Sequence, residues 1–256
     1  MCSTRTATGY SSRKSSEARF ARARREPCAS EPEVVPLSSI RKTIARRLTA
    51  AWEVPVFQIS MSADMTRTLA VRKRLVAKVR EGEVKPTVTD LLTKVCALAL
   101  LRHRAVNARY SDEGIEIYPT ANVGIAVAVP NGLVVPVIRS ADRLSVAEIA
   151  NARAELVERA RSGKLQQGDM DDGTFTISNL GMYGIERFIA VLNPPQAAIL
   201  AVGSVEDKVV AVDRQPAVRP RMEITLTCDH RAVDGAMGAQ FLTTVKQFLE
   251  EPGLAL

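Results

Sequence analysis

A chain of 256 residues that is 46% apolar is long enough to bury one large core. Lys94, Arg102 and Pro130 break its longest apolar runs well short of the roughly 20 residues needed to span a bilayer, so no membrane segment is expected. The formal charge of +7 sits largely in residues 1–30, where seven Arg and Lys face two Glu; the nearly balanced remainder, 4% aromatic, offers no basic or base-stacking face, and no nucleic acid is expected.

Residues 1–33 are rich in Ser, Arg and Ala and end in Glu31-Pro32-Glu33. They read as a disordered basic leader or linker remnant ahead of one domain over residues 34–256. An organellar transit peptide or a misassigned start would have the same composition. From Ser38, an N-cap type, Ile40, Ile44, Leu48 and Trp52 recur every four residues and predict a helix. Val56–Asp64 reads as a strand, and 66–79 and 89–103 as helices, the second apolar nearly all round and therefore buried. Residues 122–129 and 133–138 read as β-runs joined at Pro130-Asn131-Gly132, a hairpin-turn signal. Ser145-Val146-Ala147-Glu148 is a capping box opening a helix to about Arg161, with Gly163 as its stop. Strands dominate from Thr174 to Cys228, and a last helix runs from Ala236 to Leu249. Without strict β-α-β alternation, this order predicts a mixed or antiparallel sheet with helices on one side.

The chain holds four cysteines and two histidines. Cys2, Cys28, Cys96 and Cys228 lack Cys-x-x-Cys spacing, which speaks against zinc or a disulfide framework and fits a reducing compartment. No phosphate-binding glycine loop is present, and no metal is expected. His103 follows an apolar helix and reads as its polar end, where the helix dipole favours positive charge. His230 is placed differently, at the mouth of the alternating strand Ile224-Thr225-Leu226-Thr227-Cys228 and four residues before Asp234-Gly235. A fixed imidazole there can take and return a proton near neutral pH. Asp234 can cap the last helix or pair with a cation such as Arg41 or Arg46.

The run Thr225-Leu226-Thr227-Cys228-Asp229-His230-Arg231-Ala232-Val233-Asp234-Gly235-Ala236 resembles the active-site signature of the dihydrolipoyl acyltransferases, the core subunits of 2-oxo acid dehydrogenase complexes. More distantly, it is similar to the His-x-x-x-Asp-Gly motif of chloramphenicol acetyltransferases. The likeness extends through residues 36–48, 122–127 with 132–139, 173–184 (Gly173-Thr174-Phe175-Thr176-Ile177-Ser178-Asn179-Leu180-Gly181-Met182-Tyr183-Gly184) and 193–203, which opens Asn193-Pro194-Pro195-Gln196. Five matches in order leave little room for coincidence.

The resemblance implies a chloramphenicol-acetyltransferase-like α/β two-layer sandwich, trimeric, with a mixed sheet completed across a subunit boundary. It also implies transfer of an acyl group, acetyl first and branched-chain second, from dihydrolipoyl-lysine to coenzyme A. His230 would be the base, Ser178 the donor to the oxyanion, and Asp234 would orient the histidine turn or help bind substrate. Read by itself, Ser178 could equally cap the turn that follows it. A thioester is already activated, so a base and an oxyanion donor suffice; a covalent route through Cys228 is the alternative to direct transfer.

Coenzyme A would be a substrate, and the lipoyl group would come from another domain or chain, since residues 1–33 contain neither a lipoyl domain nor a peripheral-subunit-binding domain. The implied partners are the other two copies of a homotrimer, a larger cage if the apolar ending Gly253-Leu254-Ala255-Leu256 extends it, a lipoyl-bearing protein, a 2-oxo acid decarboxylase and dihydrolipoamide dehydrogenase. The implied compartment is the cytoplasm, or the mitochondrial matrix if the leader is a transit peptide. Two rival readings are a coenzyme A-dependent acetyltransferase acting on a small hydroxylated molecule and a catalytically silent scaffold subunit.

Overall fold

Ser38 caps the first helix, α1 (Ser39–Trp52), its hydroxyl accepting from the Arg41 N–H at 3.2 Å. The computed structural model describes residues 33–130 and 132–255. All of the leader expected over 1–33 except Glu33 lies outside the described residues, as do Cys2, Cys28 and Leu256. The four-residue repeat on α1 is real, but Ile40, Leu48 and Trp52 stay exposed and only Ala51 is buried. Ile44 reaches Gly132, where a Cβ would lie 2.9 Å from its Cδ1.

Strand β1 (Val56–Asp64) and helix α2 (Thr66–Ala77) follow. Helix α3 (Val88–Arg102) opens on a Thr87/Asp90 capping box, and Asp90, fully buried, also binds Arg153 Nε at 2.6 Å. A small hairpin, β2 (Ala108–Ser111) and β3 (Gly114–Ile117), comes next, turned at Asp112-Glu113, and was not anticipated from the sequence. The two expected β-runs are each divided, into β4 (Val123–Ile125), β5 (Val127–Val129), β6 (Gly132–Val134) and β7 (Val137–Ile138). At the break Ile125 N–H donates to Pro136 O and Ala126 N–H to Ile177 O, and beyond Ala126 the two runs pair with each other instead of with the main sheet. Strands β5 and β6 pair antiparallel with each other apart from it.

Helix α4 (Val146–Arg161) carries the Ser145/Glu148 capping box, and Gly163 beyond it takes φ +69°. Strand β8 (Phe175–Asn179), the long ribbon β9 (Ala198–Val212) and β10 (Gln215–Asp229), and helix α5 (Gly235–Glu250) complete the fold. The main sheet runs β1-β10-β9-β8-β4-β7. Its β9–β8 and β8–β4 pairs are parallel and the others antiparallel. The expected mixed sheet is therefore present.

Alternate residues of each strand decide the layers. Ile177, Leu200 and Leu226 face the helices and join Leu92, Cys96, Phe241 and Phe248 in the main core. The opposite face carries a smaller cluster, Ala190, Leu192, Ile199 and Ala201, where residues 188–192 cross the strands. Among the described residues, no helix is long and apolar enough to cross a membrane.

His103 caps the C-terminus of α3, its Nε2 lying 2.7 Å from Thr244 Oγ1 of α5 and its ring edge-on to Phe241. Burial, and secondly the Arg102 charge, holds its pKa below the ordinary imidazole value. Desolvation thus outweighs the helix dipole expected to favour its charge. A histidine depressed in the folded state contributes stability above its unfolded pKa of about 6.5, and that stability is lost as pH falls toward the folded value. Melting temperatures should therefore drop between pH 7.5 and 5, and His103→Gln should flatten part of that drop. An unchanged slope in the variant would exclude His103 as its source.

Candidate active site

His230 is the first residue past β10, and its backbone position is fixed from both sides. Asp229 N–H donates to Ala197 O at 2.9 Å, and His230 N–H donates to Pro55 O at 2.8 Å. The Asp229 carbonyl accepts from the N–H groups of Ala232 and Val233, closing a tight turn. The imidazole is exposed and meets the edge of Phe57, with ring centroids 4.9 Å apart at 60°. Gly238 makes room for that ring, since a Cβ there would stand 3.3 Å from Phe57 Cζ.

Asp234 caps the last helix: its Oδ1 accepts from Met237 N–H at 2.8 Å at the start of α5. Neither Arg41 nor Arg46 pairs with it among the described residues. Ser178 lies within β8, one residue before the strand ends rather than in the turn itself, and is half-buried. The turn beyond is tied by Asn179, whose Oδ1 accepts from Gly181 N–H and whose Nδ2 donates to Thr89 Oγ1 at the head of α3.

The strand register locates Ser178 relative to His230. Ser178 is opposite Ala201, Ala201 opposite Thr225, and Thr225 opposite Ser60, so the four share one face of the sheet. The Ser60 and Thr225 hydroxyls, 2.8 Å apart, mark that row. His230 lies five residues further along and two strands across from Ser178. At about 3.4 Å per residue and about 4.8 Å per strand, their Cα atoms are on the order of 20 Å apart. One chain therefore does not bring the two groups to a common reacting atom, which requires hydrogen-bond reach.

Cys228 is a buried thiol on the helix face, 0% exposed, and burial, then the Asp229 charge, pushes its pKa up to about 12. A thiol with that pKa is not a nucleophile near neutrality, which corrects the alternative of a covalent route. Among the described residues, no cluster of His, Cys, Asp and Glu could hold a metal ion.

Sequence reasoning missed Asp229 and Arg231. The Asp229 carboxylate, 3% exposed, accepts from Arg231 N–H at 2.9 Å, Nε at 3.0 Å and Nη2 at 2.8 Å. The guanidinium lies 4.1 Å from the ring centre of Tyr110 on β2. Their flanking of His230 was the available signal, but Asp-x-Arg spacing alone does not distinguish a clamp from solvated charges.

This arrangement is that of the chloramphenicol acetyltransferase fold: a chloramphenicol acetyltransferase superposes with TM-score 0.50 at 13% identity, over 80% of this chain and 94% of the other. Residues 29–256 match the family model for the 2-oxoacid dehydrogenases acyltransferase (catalytic domain), and the chain belongs to that family. It is 39% identical, over 225 residues, to the dihydrolipoyllysine-residue acetyltransferase component of the pyruvate dehydrogenase complex of Rhizobium meliloti. That match covers 86% of this chain and 50% of the relative, so the chain spans half the length of that protein. Among solved structures it is similar to the dihydrolipoamide acetyltransferase of Azotobacter vinelandii, with TM-score 0.85 and 34% identity, over 88% of this chain and 94% of that one. The Azotobacter structure was solved to define the catalytic roles of a serine, a histidine and an asparagine.

With Cys228 buried, native protein treated with iodoacetamide at pH 8 should remain unlabelled at that residue and react there only after unfolding. Cys228→Ala should keep its turnover within a few-fold of wild type. Rapid native labelling, or loss of transfer in the variant, would restore the thiol to the chemistry.

Proposed function

We propose that this chain transfers an acetyl group from the dihydrolipoyl-lysine of a lipoyl domain to coenzyme A, with His230 as general base and Ser178 as donor to the oxyanion. The observation that carries the reading is spacing: the serine, histidine and asparagine of the Azotobacter enzyme stand at the same separations along the chain as Ser178, His230 and Asp234. At the third position this chain has aspartate, whose carboxylate caps α5 and so holds the end of the histidine turn.

The chemistry is direct. The base removes the attacking thiol's proton as sulfur adds to the thioester carbonyl, and the serine hydroxyl stabilises the resulting oxyanion. The departing dihydrolipoyl thiolate takes that proton from the imidazolium, so the coenzyme A thiol is the nucleophile and the dihydrolipoyl thiol the leaving group. No protein thiol is needed, consistent with the buried Cys228.

The separation of Ser178 from His230 supports a site assembled between copies. In this reading the functional unit is a homotrimer with three equivalent sites, His230 of one copy facing Ser178 of the next. The exposed apolar stripe Ile40, Leu48 and Trp52 on α1 supplies surface for such contacts. A lipoyl-bearing protein, a 2-oxo acid decarboxylase and dihydrolipoamide dehydrogenase would complete the reaction cycle, with the cytoplasm as its proposed compartment.

In an exchange assay between dihydrolipoamide and acetyl-CoA, His230→Ala should lower turnover by about 100- to 10,000-fold. Ser178→Ala should lower kcat by roughly 100-fold or more with little change in KM. Mixing the two inactive variants under subunit exchange should regenerate partial activity, because some interfaces would pair an intact His230 with an intact Ser178. A fully active monomer by light scattering would overturn the shared site. Turnover with small hydroxylated acceptors but not dihydrolipoamide would overturn the substrate assignment, and inactivity with every acceptor would leave a scaffold.

A further inference from the structure

His230 has no hydrogen bond from its ring to another side chain among the described residues. A general base is ordinarily held in its working orientation by a third group, and within this chain the contacts that orient it are the backbone turn and the edge of Phe57. That turn closes around one buried carboxylate. Asp229 sits at the last rung of β10, and its oxygens receive the Arg231 N–H and both arms of the guanidinium fork. The pair joins residues two apart and ties the turn together on either side of the residue between them. That residue is His230.

We propose that Arg231 is a positioning residue for His230: its fork on Asp229, covered by the Tyr110 ring, sets the turn that aims the imidazole at the reacting thiol. The proposal rests on His230 being the base. The β2–β3 hairpin supplies the cover, since Tyr110 stacks on the guanidinium and Asp112 adds a second carboxylate beside it. Pro55 and Phe57 of the β1 segment hold the opposite side of the turn and bear no charge. Arg231 therefore has two tasks. Its geometry fixes the turn, and its charge neutralises a buried carboxylate one residue from the base.

The two tasks separate experimentally. Arg231→Ala should lower kcat by roughly 10- to 100-fold, the scale of a misplacement of about 1 Å, with KM for both thiols within about threefold. The unneutralised Asp229 carboxylate should favour the imidazolium and move the acid limb of the pH profile up by about one unit. Arg231→Lys keeps the charge without the fork, so its acid limb should stay near wild type while kcat remains low. The double variant Asp229→Asn with Arg231→Ala should return the limb without restoring kcat. Tyr110→Leu, a milder change, should lower kcat only a few-fold. Melting curves and light scattering on each variant correct the rates for folded, assembled protein.

Wild-type kcat and an unmoved acid limb in Arg231→Ala, alongside an inactive His230→Ala, would overturn the positioning role and leave the base assignment standing. So would a fall in kcat fully accounted for by lost folded protein with the limb unmoved. Activity in His230→Ala would overturn both. If Arg231→Ala fails to assemble, the limb and kcat of Arg231→Lys and Tyr110→Leu decide the matter by the same criteria.

Discussion

Strand β10 is paired along both edges, to β1 in unbroken register from Asp64 to Val56 and to β9 with one irregularity between Met222 and Ile224. Because side chains alternate, a slip of one residue would move Ile224, Leu226 and Cys228 from the core to the opposite face. The hydrophobic layer thus fixes where the strand ends, and where it ends fixes His230. The same ladder carries position through Ala201 to Ser178, so the core that stabilises the sheet also sets the distance between the two proposed catalytic groups. That distance is too great for one chain, so the proposed chemistry calls for a second copy.

The irregular stretch between β8 and β9 is constrained by close backbone contact. Gly203 on β9 lies so near the crossing strap that a Cβ would collide with Glu186 O, and Ser204 N–H donates to Ile185 O at 2.8 Å. Gly181 is held similarly against Gly203 O. The strap buries Ala190 and Leu192 against Ile199 and Ala201 yet leaves Met182, Tyr183 and Ile189 exposed. Its backbone is committed to β9, and its outward side chains join those of α1 as apolar surface without cover in a single chain.

Much of this was legible in the sequence because it is local. Ser38 and Ser145 cap helices through bonds to residues three positions on, and strand β1 alternates as its sequence does. What escaped was decided by partners distant in sequence. Beyond Ala126, whose N–H still donates to Ile177 O of β8, the chain leaves the main sheet to pair β5 with β6. The four-residue repeat of α1 correctly marked a helix, but Ile40, Leu48 and Trp52 along it stay exposed in the described chain. Of the proposed site, His230, Ser178 and Asp234 came from a family likeness, while Asp229 and Arg231 required seeing a carboxylate buried at a strand's end.

The burial of Cys228 shows how the fold limits the mechanism. Its place on the helix face follows from the alternation that puts Thr227 and Asp229 on the other, and Gly238 packs closely enough that an added Cβ would lie 3.5 Å from its sulfur. A core thiol two residues from the base is thereby held as a neutral packing atom. In the proposed reaction both reacting sulfurs arrive with substrates and meet where a histidine and a serine from different strand ends converge. In the proposed trimer the space between copies offers that convergence, so the burial of Cys228 and the separation of the two groups argue for the same interface.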